Sequence, residues 1–417
     1  MFKGPIALGT IRTSSVLGLR MVVQAGTLLL LASTLGADGF GLYAGLGAMA
    51  VLLGSLANFG THLTLLRDVS RASDVDAALR LALGTTAFCG AILFLTYIVL
   101  SLVLLPVPYG AFWVVLCLGC AEVLLQPFLV IAAMERHGRG QVARSQVLLI
   151  LPLLLRLFVV LVVAWCAPKN PLLWYVLGHL IVIMLVLCPV FLLMPGAWRQ
   201  PSRWEVARRS HWGGLVGYAV MNTSANGVAE LDKMLAARLL PFDTAGIYSA
   251  ASRVVGSLVL PVMAMILAAM PRLFRDGLAS GRGLQYLLFA LAGTYGFFAA
   301  VVMVCAASWI ESLFGRAYAG VGELIHMLAY AVPAMCMRAA ATNMLTTLER
   351  PWMRICLELA GWLVIVALAL AFVQSHGSQG LALSIICAEW LLAISSMVLI
   401  SMISASSRKS SDGVKPK

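Results

Sequence analysis

Long apolar runs recur along almost the whole chain, and they limit the possible folds more than any short motif does. A run of about 20 residues is long enough for a helix to cross about 30 Å of hydrocarbon. Only 11% of the residues are charged and 61% are hydrophobic, which excludes an ordinary soluble enzyme. The sequence therefore predicts an all-α polytopic membrane protein with about 12 transmembrane helices. The runs lie near residues 11–34, 41–66, 77–105, 111–134, 145–166, 172–194, 211–237, 244–271, 284–308, 320–345, 353–373 and 380–405.

The basic residues are distributed unevenly among the segments that connect these helices. With a cytoplasmic N-terminus, twenty-one of the 29 basic residues fall in cytoplasmic segments, whereas only Lys169, Lys233, Arg238 and Arg316 fall on the opposite side. Such a bias orients a membrane protein by the positive-inside rule, and it favours an even number of helices with both termini cytoplasmic. The net charge of +12 is thus explained by topology and by contact with anionic membrane lipid, so no nucleic-acid partner is expected.

No pattern typical of catalysis or of metal binding stands out. The chain has no Walker A sequence and no GxSxG sequence, its nine cysteines lie almost entirely within apolar runs, and its six histidines are scattered. We therefore expect neither an enzyme nor a bound metal or cofactor.

Several residues of the first half reappear in the second half at a constant offset of 205 positions. Glu135-Arg136 is echoed in the same way by Glu349-Arg350 at an offset of 214. Chance similarity among Gly- and Leu-rich helices is the alternative to an internal duplication. The matched pairs are Asp38 and Asp243, Gly41 and Gly246, Leu42 and Ile247, Tyr43 and Tyr248, and Arg67 and Arg272.

A duplication that makes helices n and n+6 equivalent predicts two parallel six-helix bundles around a central cavity. The bundles would comprise residues 1–200 and 201–406, followed by a basic cytoplasmic tail at 407–417. In transporters built from such repeats, the substrate path lies at the interface of the repeats.

Four arginines, Arg20, Arg156, Arg253 and Arg338, lie inside predicted membrane helices. Each costs at least about 2.5 kcal/mol at bilayer depth, so each needs a partner, a wet cavity or a substrate. Arg20 shares a polar helix face with Gln24, and Arg253 lies between serines spaced at four residues. Guanidinium groups bind phosphate oxygens in pairs, which predicts an anionic substrate such as a pyrophosphate. Ion pairing with carboxylates, or snorkelling, is the alternative.

The other embedded polar residues have less certain roles. Helix 7 contributes Asn222 and Asn226, which we group with the arginines as substrate-binding candidates. Glu230 and Asp232 are candidate coupling-ion ligands if they are buried, and otherwise they only solvate the outer loop.

The remaining two arginines call for structural explanations. Arg156 has no polar neighbour on its own helix, so we expect it to pair with Glu122 of helix 4. Arg338 lies near a cytoplasmic helix end, where it either snorkels to the membrane surface or has another role.

Three segments resemble a known family of transporters. Glu230 to Arg253 is similar to the helix 7 to 8 region of polysaccharide transporters, in which an Asp precedes an apolar run, Gly-x-Tyr and small residues. Leu35 to Tyr43 resembles the turn between helices 1 and 2 of that family, and Leu313 to Tyr318 resembles its outer loop after helix 9. The chain thus resembles the O-antigen and exopolysaccharide flippases of the multidrug/oligosaccharidyl-lipid/polysaccharide exporter superfamily.

The resemblance implies a multi-pass protein of the bacterial inner membrane that takes part in surface polysaccharide biosynthesis. It implies that an undecaprenyl-pyrophosphate-linked oligosaccharide is moved from the cytoplasmic to the periplasmic leaflet by alternating access. In such proteins basic residues of helices 1 and 8 line the cavity, which corresponds to Arg20 and Arg253. A polysaccharide polymerase and a chain-length regulator are the partner proteins expected beside membrane lipid.

Two other functions compete with this one. An ion-coupled multidrug or small-molecule exporter of the same superfamily would be expected to have more buried carboxylates than buried arginines, because its cargo would be cationic or neutral. A membrane-embedded glycosyltransferase or ligase would need large outer loops with acid or base residues, whereas the predicted outer loops are short.

The topology can be tested with reporter fusions. Fusions within residues 195–210 and after Ser406 should report the cytoplasm, and fusions near Lys169 and Gly377 should report the periplasm. The expectation follows from the distribution of basic residues. An inverted signal at the central loop would contradict it.

Overall fold

The fold is built from helices. The structure is a computed structural model that describes residues 5–71, 74–194, 196–266, 282–347 and 351–412, and no strand occurs within these ranges. The α-helices are α1 (Pro5–Ala57), α2 (Thr61–Ser70), α3 (Val75–Leu104), α4 (Phe112–Gly119), α5 (Gln126–Gly138), α6 (Val142–Cys166), α7 (Pro171–Leu193), α8 (Trp212–Leu239), α9 (Phe242–Ser257), α10 (Arg282–Phe314), α11 (Val321–Ala329), α12 (Val332–Thr347) and α13 (Pro351–Asp412). The predicted all-α class is confirmed.

Two of these helices are too long to be single membrane spans. α1 has 53 residues and α13 has 62, whereas about 20 residues cross a bilayer. Each contains one glycine with non-helical backbone angles, Gly36 (φ 68°) in α1 and Gly377 (φ 54°) in α13. A positive φ is readily adopted only by glycine, so each helix divides there into two spans. The break at Gly36 lies within the predicted turn at Leu35 to Tyr43.

The twelve predicted spans can be matched to helices of the described part. By length and composition, eight helical stretches qualify as spans, and α11 and α12 form a ninth that is bent by 51°. Because α1 and α13 each supply two spans, the total is eleven. The twelfth is α8, which has 28 residues but carries four charged side chains near its C-terminal end. The protein is therefore a multi-pass membrane protein.

The chain forms two compact units. The first comprises Met1–Glu230 with Pro241–Gly246, and the second comprises Leu231–Leu240 with Ile247–Lys417. The division predicted between residues 200 and 201 stays a prediction about where the sequence repeat begins.

The first unit includes residues 196–210, which belong to the central loop that is predicted to be cytoplasmic. Trp198 is only 1% exposed, and its indole nitrogen donates to Glu135 Oε2 at 3.1 Å. Trp204 packs against Phe128 and Phe191, with ring centroids 5.8 and 6.4 Å away. These aromatic contacts attach the segment to α5 and α7.

The end of this segment also binds to α3. The Ala207 amide donates to Thr85 Oγ1 at 2.9 Å, and the Glu205 amide donates to the Arg80 carbonyl at 3.2 Å. A Cβ atom on Gly84 would lie 2.3 Å from the Glu205 carbonyl oxygen, so the backbones are in direct contact there. The segment is therefore ordered against α3 rather than free in solvent.

In the second unit, a carboxylate organises the outer loop that follows α10. Both oxygens of Glu311 accept backbone amides, from Gly320 at 2.9 Å and from Gly322 at 3.2 Å. Gly320 has a φ of 90° and directly precedes α11, so Glu311 caps the N-terminus of that helix. Tyr318 of the same loop is fully buried. These contacts explain the ordered geometry of the Leu313 to Tyr318 motif.

Two glycines at equivalent positions of the sequence repeat contact each other within the first unit. A Cβ atom on Gly41 would lie 1.9 Å from the Phe242 carbonyl oxygen, and one on Gly246 would lie 1.9 Å from the Ala37 carbonyl oxygen. Any residue with a Cβ atom at either position would have to displace the facing backbone. Among the other repeat residues, Arg272 and Glu349-Arg350 lie outside the described part of the chain.

Substituting Gly41→Ala or Gly246→Ala should lower stability by about 1–3 kcal/mol, because the added methyl group forces the backbones apart. Membrane abundance and the melting temperature in detergent should both fall. Gly47→Ala is the matched control in α1, since a Cβ atom at Gly47 meets nothing within 4 Å. Equal stability of the Gly41 and Gly47 variants would contradict the close contact.

Candidate functional site

The four embedded arginines differ in whether the protein itself supplies a partner. Arg156 of α6 places Nη2 3.0 Å from Glu122 Oε1, and the two side chains are only 17% and 12% exposed. Glu122 lies in a π-helical turn, Cys120–Leu125, between α4 and α5. The pairing predicted from the sequence is confirmed. Arg156 is thus held within the first unit by a partly buried carboxylate.

Arg338 is held still more firmly in the second unit. Its Nε lies 2.6 Å from Glu389 Oε2 and its Nη2 lies 3.0 Å from Glu389 Oε1, which is a two-pronged ion pair. The Glu389 side chain is 1% exposed. The snorkelling considered for Arg338 is therefore wrong, because a buried carboxylate satisfies it instead. Sequence reasoning missed Glu389, although an acidic residue in the middle of the last apolar run already indicated a cationic partner.

Arg20 and Arg253 have no comparable partner. Arg20 lies exposed on α1, and Arg253 lies half-buried on α9 with its Nε buried and without a hydrogen bond. Neither forms an ion pair with any residue that the structure describes. These are the two arginines for which the sequence predicts substrate contact, and that role stays a prediction.

The polar residues grouped with these arginines have different surroundings. Gln24 is exposed one turn after Arg20 on α1. The Asn222 side chain donates its amide hydrogen to the Ser55 carbonyl at 3.1 Å, so it links α8 to α1 within the first unit. Asn226 is half-buried one turn farther along α8. Gln24 and Asn226 thus remain the better candidates for ligand contact.

Asp232 forms a buried cluster in the second unit. It is 4% exposed, and its Oδ1 lies 3.1 Å from Lys233 Nζ. Its Oδ2 accepts hydrogen bonds from Tyr248 at 3.2 Å and from Ser252 at 2.5 Å. Lys233 was counted among the basic residues of the opposite side, and it lies within α8, where it is 5% exposed and neutralises Asp232.

The coupling role of Asp232 and Glu230 stays a prediction. Asp232 is buried, as that role requires, while Glu230 is half-buried. Lys233 already supplies Asp232 with a cation, so a coupling ion would have to displace the ammonium group. The described residues contain no group of three or more His, Cys, Asp or Glu that could hold a metal ion.

Comparison with known proteins identifies the fold. No family model matches the sequence, and no curated protein matches it. Solved structures do match over nearly the full length. An inward-facing multidrug resistance MATE family transporter of the MOP superfamily has a TM-score of 0.76 at 12% identity, covering 96% of this chain and 99% of that one.

Two further structures agree with this result. The MATE multidrug transporter DinF-BH, solved in complex with rhodamine 6G, has a TM-score of 0.70 at 15% identity and covers 96% of both chains. A MOP superfamily transporter from Pyrococcus furiosus, described by a reverse polarity of its binding pocket, has a TM-score of 0.66 at 12% identity and covers 95% of both chains. The chain therefore has the MATE-like fold of 12 transmembrane helices in two lobes.

The pair between Arg338 and Glu389 can be tested with a mutant cycle. Arg338→Met should cost about 3–5 kcal/mol, because it leaves Glu389 buried without a partner. Arg338→Met combined with Glu389→Met should recover most of the loss, since no uncompensated charge remains. Membrane abundance and melting temperature in detergent measure the effect, and Arg20→Met serves as the control that leaves both unchanged. A stable Arg338→Met single variant would contradict the assignment.

Proposed function

We propose that this protein is an ion-coupled exporter that moves an amphiphilic, anionic molecule across the membrane by alternating access. The likeness to multidrug transporters over nearly the full chain supports an exporter of this architecture. The proposed cargo class rests on one observation: among the described residues, Arg156 and Arg338 have carboxylate partners, whereas Arg20 and Arg253 have none.

The carboxylates lead to the same conclusion. A cationic drug would need a buried carboxylate that is free to bind it. Glu122 is paired with Arg156, Glu389 with Arg338, and Asp232 with Lys233. Each of these three negative charges is neutralised within its own unit, whereas no described carboxylate pairs with Arg20 or Arg253. This balance of charge favours an anionic cargo over a cationic one.

A lipid-linked oligosaccharide is the second candidate cargo, and the same arginines support it. Guanidinium groups bind both oxygens of a phosphate and stay charged at any physiological pH, which suits an undecaprenyl pyrophosphate. The resemblance of the segment from Glu230 to Arg253 to polysaccharide transporters also supports this cargo. Arg20 and Arg253 would bind the anionic group of either cargo, so these two residues do not distinguish a flippase for surface polysaccharide biosynthesis from an exporter of a soluble anion.

The cargo class can be tested in proteoliposomes with three fluorescent probes. These are rhodamine 6G as a cation, a carboxylated amphiphilic dye as an anion, and a short-chain polyprenyl pyrophosphate that carries a labelled sugar. We expect transport of an anionic probe and none of the cation. Movement of the polyprenyl probe alone would identify a flippase, and movement of the dye would identify an exporter of soluble anions.

The arginines can be tested in the same assay. Arg20→Ala and Arg253→Ala should each lower transport about tenfold or more, the loss expected when a charge-assisted hydrogen bond worth about 1.5–3 kcal/mol is removed. Lysine should restore transport only in part, because it lacks the two-pronged donor. Arg144→Ala is the control, since this exposed arginine lies in the first turn of α6. Transport of rhodamine 6G alone, or full activity of both alanine variants, would contradict the proposal.

A further inference from the structure

A buried histidine shares Glu122 with Arg156 in the first unit. His179 of α7 is fully buried, and its Nε2 lies 3.3 Å from Glu122 Oε1, the same oxygen that Arg156 Nη2 contacts at 3.0 Å. Two titratable side chains, one from α6 and one from α7, thus converge on one oxygen atom of the π-helical turn. With a neutral imidazole the cluster is electrically balanced, and a proton added to the ring gives it one positive charge.

The imidazole ring of His179 has no hydrogen-bond partner among the described residues. Both Nδ1 and Nε2 are buried, and neither makes a geometrically acceptable hydrogen bond. A structural histidine in a protein interior normally has at least one ring nitrogen bonded to a carbonyl, a hydroxyl or a water. The ring of His179 instead lies beside a carboxylate oxygen to which a protonated Nε2 could donate after a small movement.

The helices packed around His179 contribute tyrosines rather than further charges. Tyr43 of α1 and Tyr175 of α7 pack edge to face with ring centroids 5.5 Å apart, and both lie near the Arg156 guanidinium. Tyr97 of α3 is buried near Glu122. Since a tyrosine is uncharged at neutral pH, none of the three changes the charge balance of the cluster.

The two helices on the other side of the cluster add no charge close to it. The only titratable side chain of α4 is Cys117. The charged residues of α5 are Glu135, Arg136 and His137 in its last turn, about 20 Å along the helix from Glu122. The charge on the cluster is therefore set by Glu122, Arg156 and His179 alone.

We propose that Glu122 and His179 form a proton-binding site in the first unit, and, on the basis of the proposed function, that this proton is the coupling ion. Glu122 is 12% exposed and His179 is not exposed, so the proton enters at the carboxylate. Its bond to the carboxylate oxygen breaks as the bond to His179 Nε2 forms, and release follows the same route in reverse. Arg156 stays protonated throughout, because arginine does not lose its proton in proteins.

Protonation of His179 adds a second cation that can bind the Glu122 carboxylate. Before it, Arg156 is the only charged partner of that oxygen, and after it the imidazolium competes for the same position. The competition takes place at the π-helical turn, where the regular hydrogen bonding of the helix is already interrupted. The site thereby links proton occupancy to the contacts among α6, α7 and the turn.

The protonation state of His179 can be followed by nuclear magnetic resonance. The full-length protein is labelled with ¹³C-histidine in detergent micelles, and the ring signals report whether each imidazole is protonated. His179→Gln assigns the resonance. We expect the His179 signal to shift as the pH is lowered and the ring takes up the proton. Glu122→Gln should move the midpoint down by at least one pH unit, because the imidazolium loses its anion while Arg156 remains. The exposed His376 is the internal control, and its titration should not change.

Two results of this titration would overturn the proposal. One is a His179 signal that does not change between pH 5 and 9, and the other is a midpoint that Glu122→Gln leaves in place. Because Glu122→Gln retains the ring, the measurement remains informative even if His179→Gln folds poorly.

Transport assays separate this inference from the proposed function. His179→Gln should lose at least tenfold in accumulation driven by a proton gradient but should keep exchange of cargo at equal pH. Unchanged gradient-driven accumulation in this variant would overturn the coupling role. If the wild-type protein moves none of the three probes, the proposed function fails, whereas the titration of His179 still decides whether the proton site exists.

Discussion

A charge inside hydrocarbon must be compensated, and much of the internal organisation of this protein follows from that requirement. Glu122 with Arg156 joins the π-helical turn to α6, and Arg338 with Glu389 joins α12 to α13. Asp232 is compensated by its sequence neighbour Lys233 and is fixed to α9 by two hydroxyl groups. The first two of these pairs connect different helical segments, and the third fixes α8 to α9. Among the described residues, no carboxylate forms an ion pair with Arg20 or Arg253.

Several features of the described structure could be predicted from the sequence. The twelve spans follow from the apolar runs, since span length and composition are local properties. The breaks at Gly36 and Gly377 follow from local backbone chemistry as well. The pairing of Arg156 with Glu122 could be predicted because Arg156 has no polar neighbour on its own helix.

Other features depend on tertiary contacts that sequence spacing does not encode. Arg338 and Glu389 are 51 residues apart, and nothing local indicates that their helices meet. The contact of Gly41 with Gly246 joins equivalent residues of the repeat, yet the repeat alone did not predict that they would touch. Trp198 lies in the predicted central cytoplasmic loop, but its indole nitrogen donates to the buried Glu135, 63 residues away in the sequence. The pairing of His179 with Glu122 was missed for the same reason, since the histidines appear scattered along the chain.

The central claim is that Arg20 and Arg253 are open to cargo whereas Arg338 is occupied by the protein. Single cysteines at these three positions, in a chain whose nine native cysteines are replaced and with Glu389→Gln added for position 338, allow a direct comparison. The rate of modification by a membrane-impermeant thiol reagent is the measurement. The account predicts that cysteines at 20 and 253 react at least tenfold faster than the cysteine at 338 and are protected by the transported anion. Equal rates at all three positions, or no protection by any anion, would contradict it.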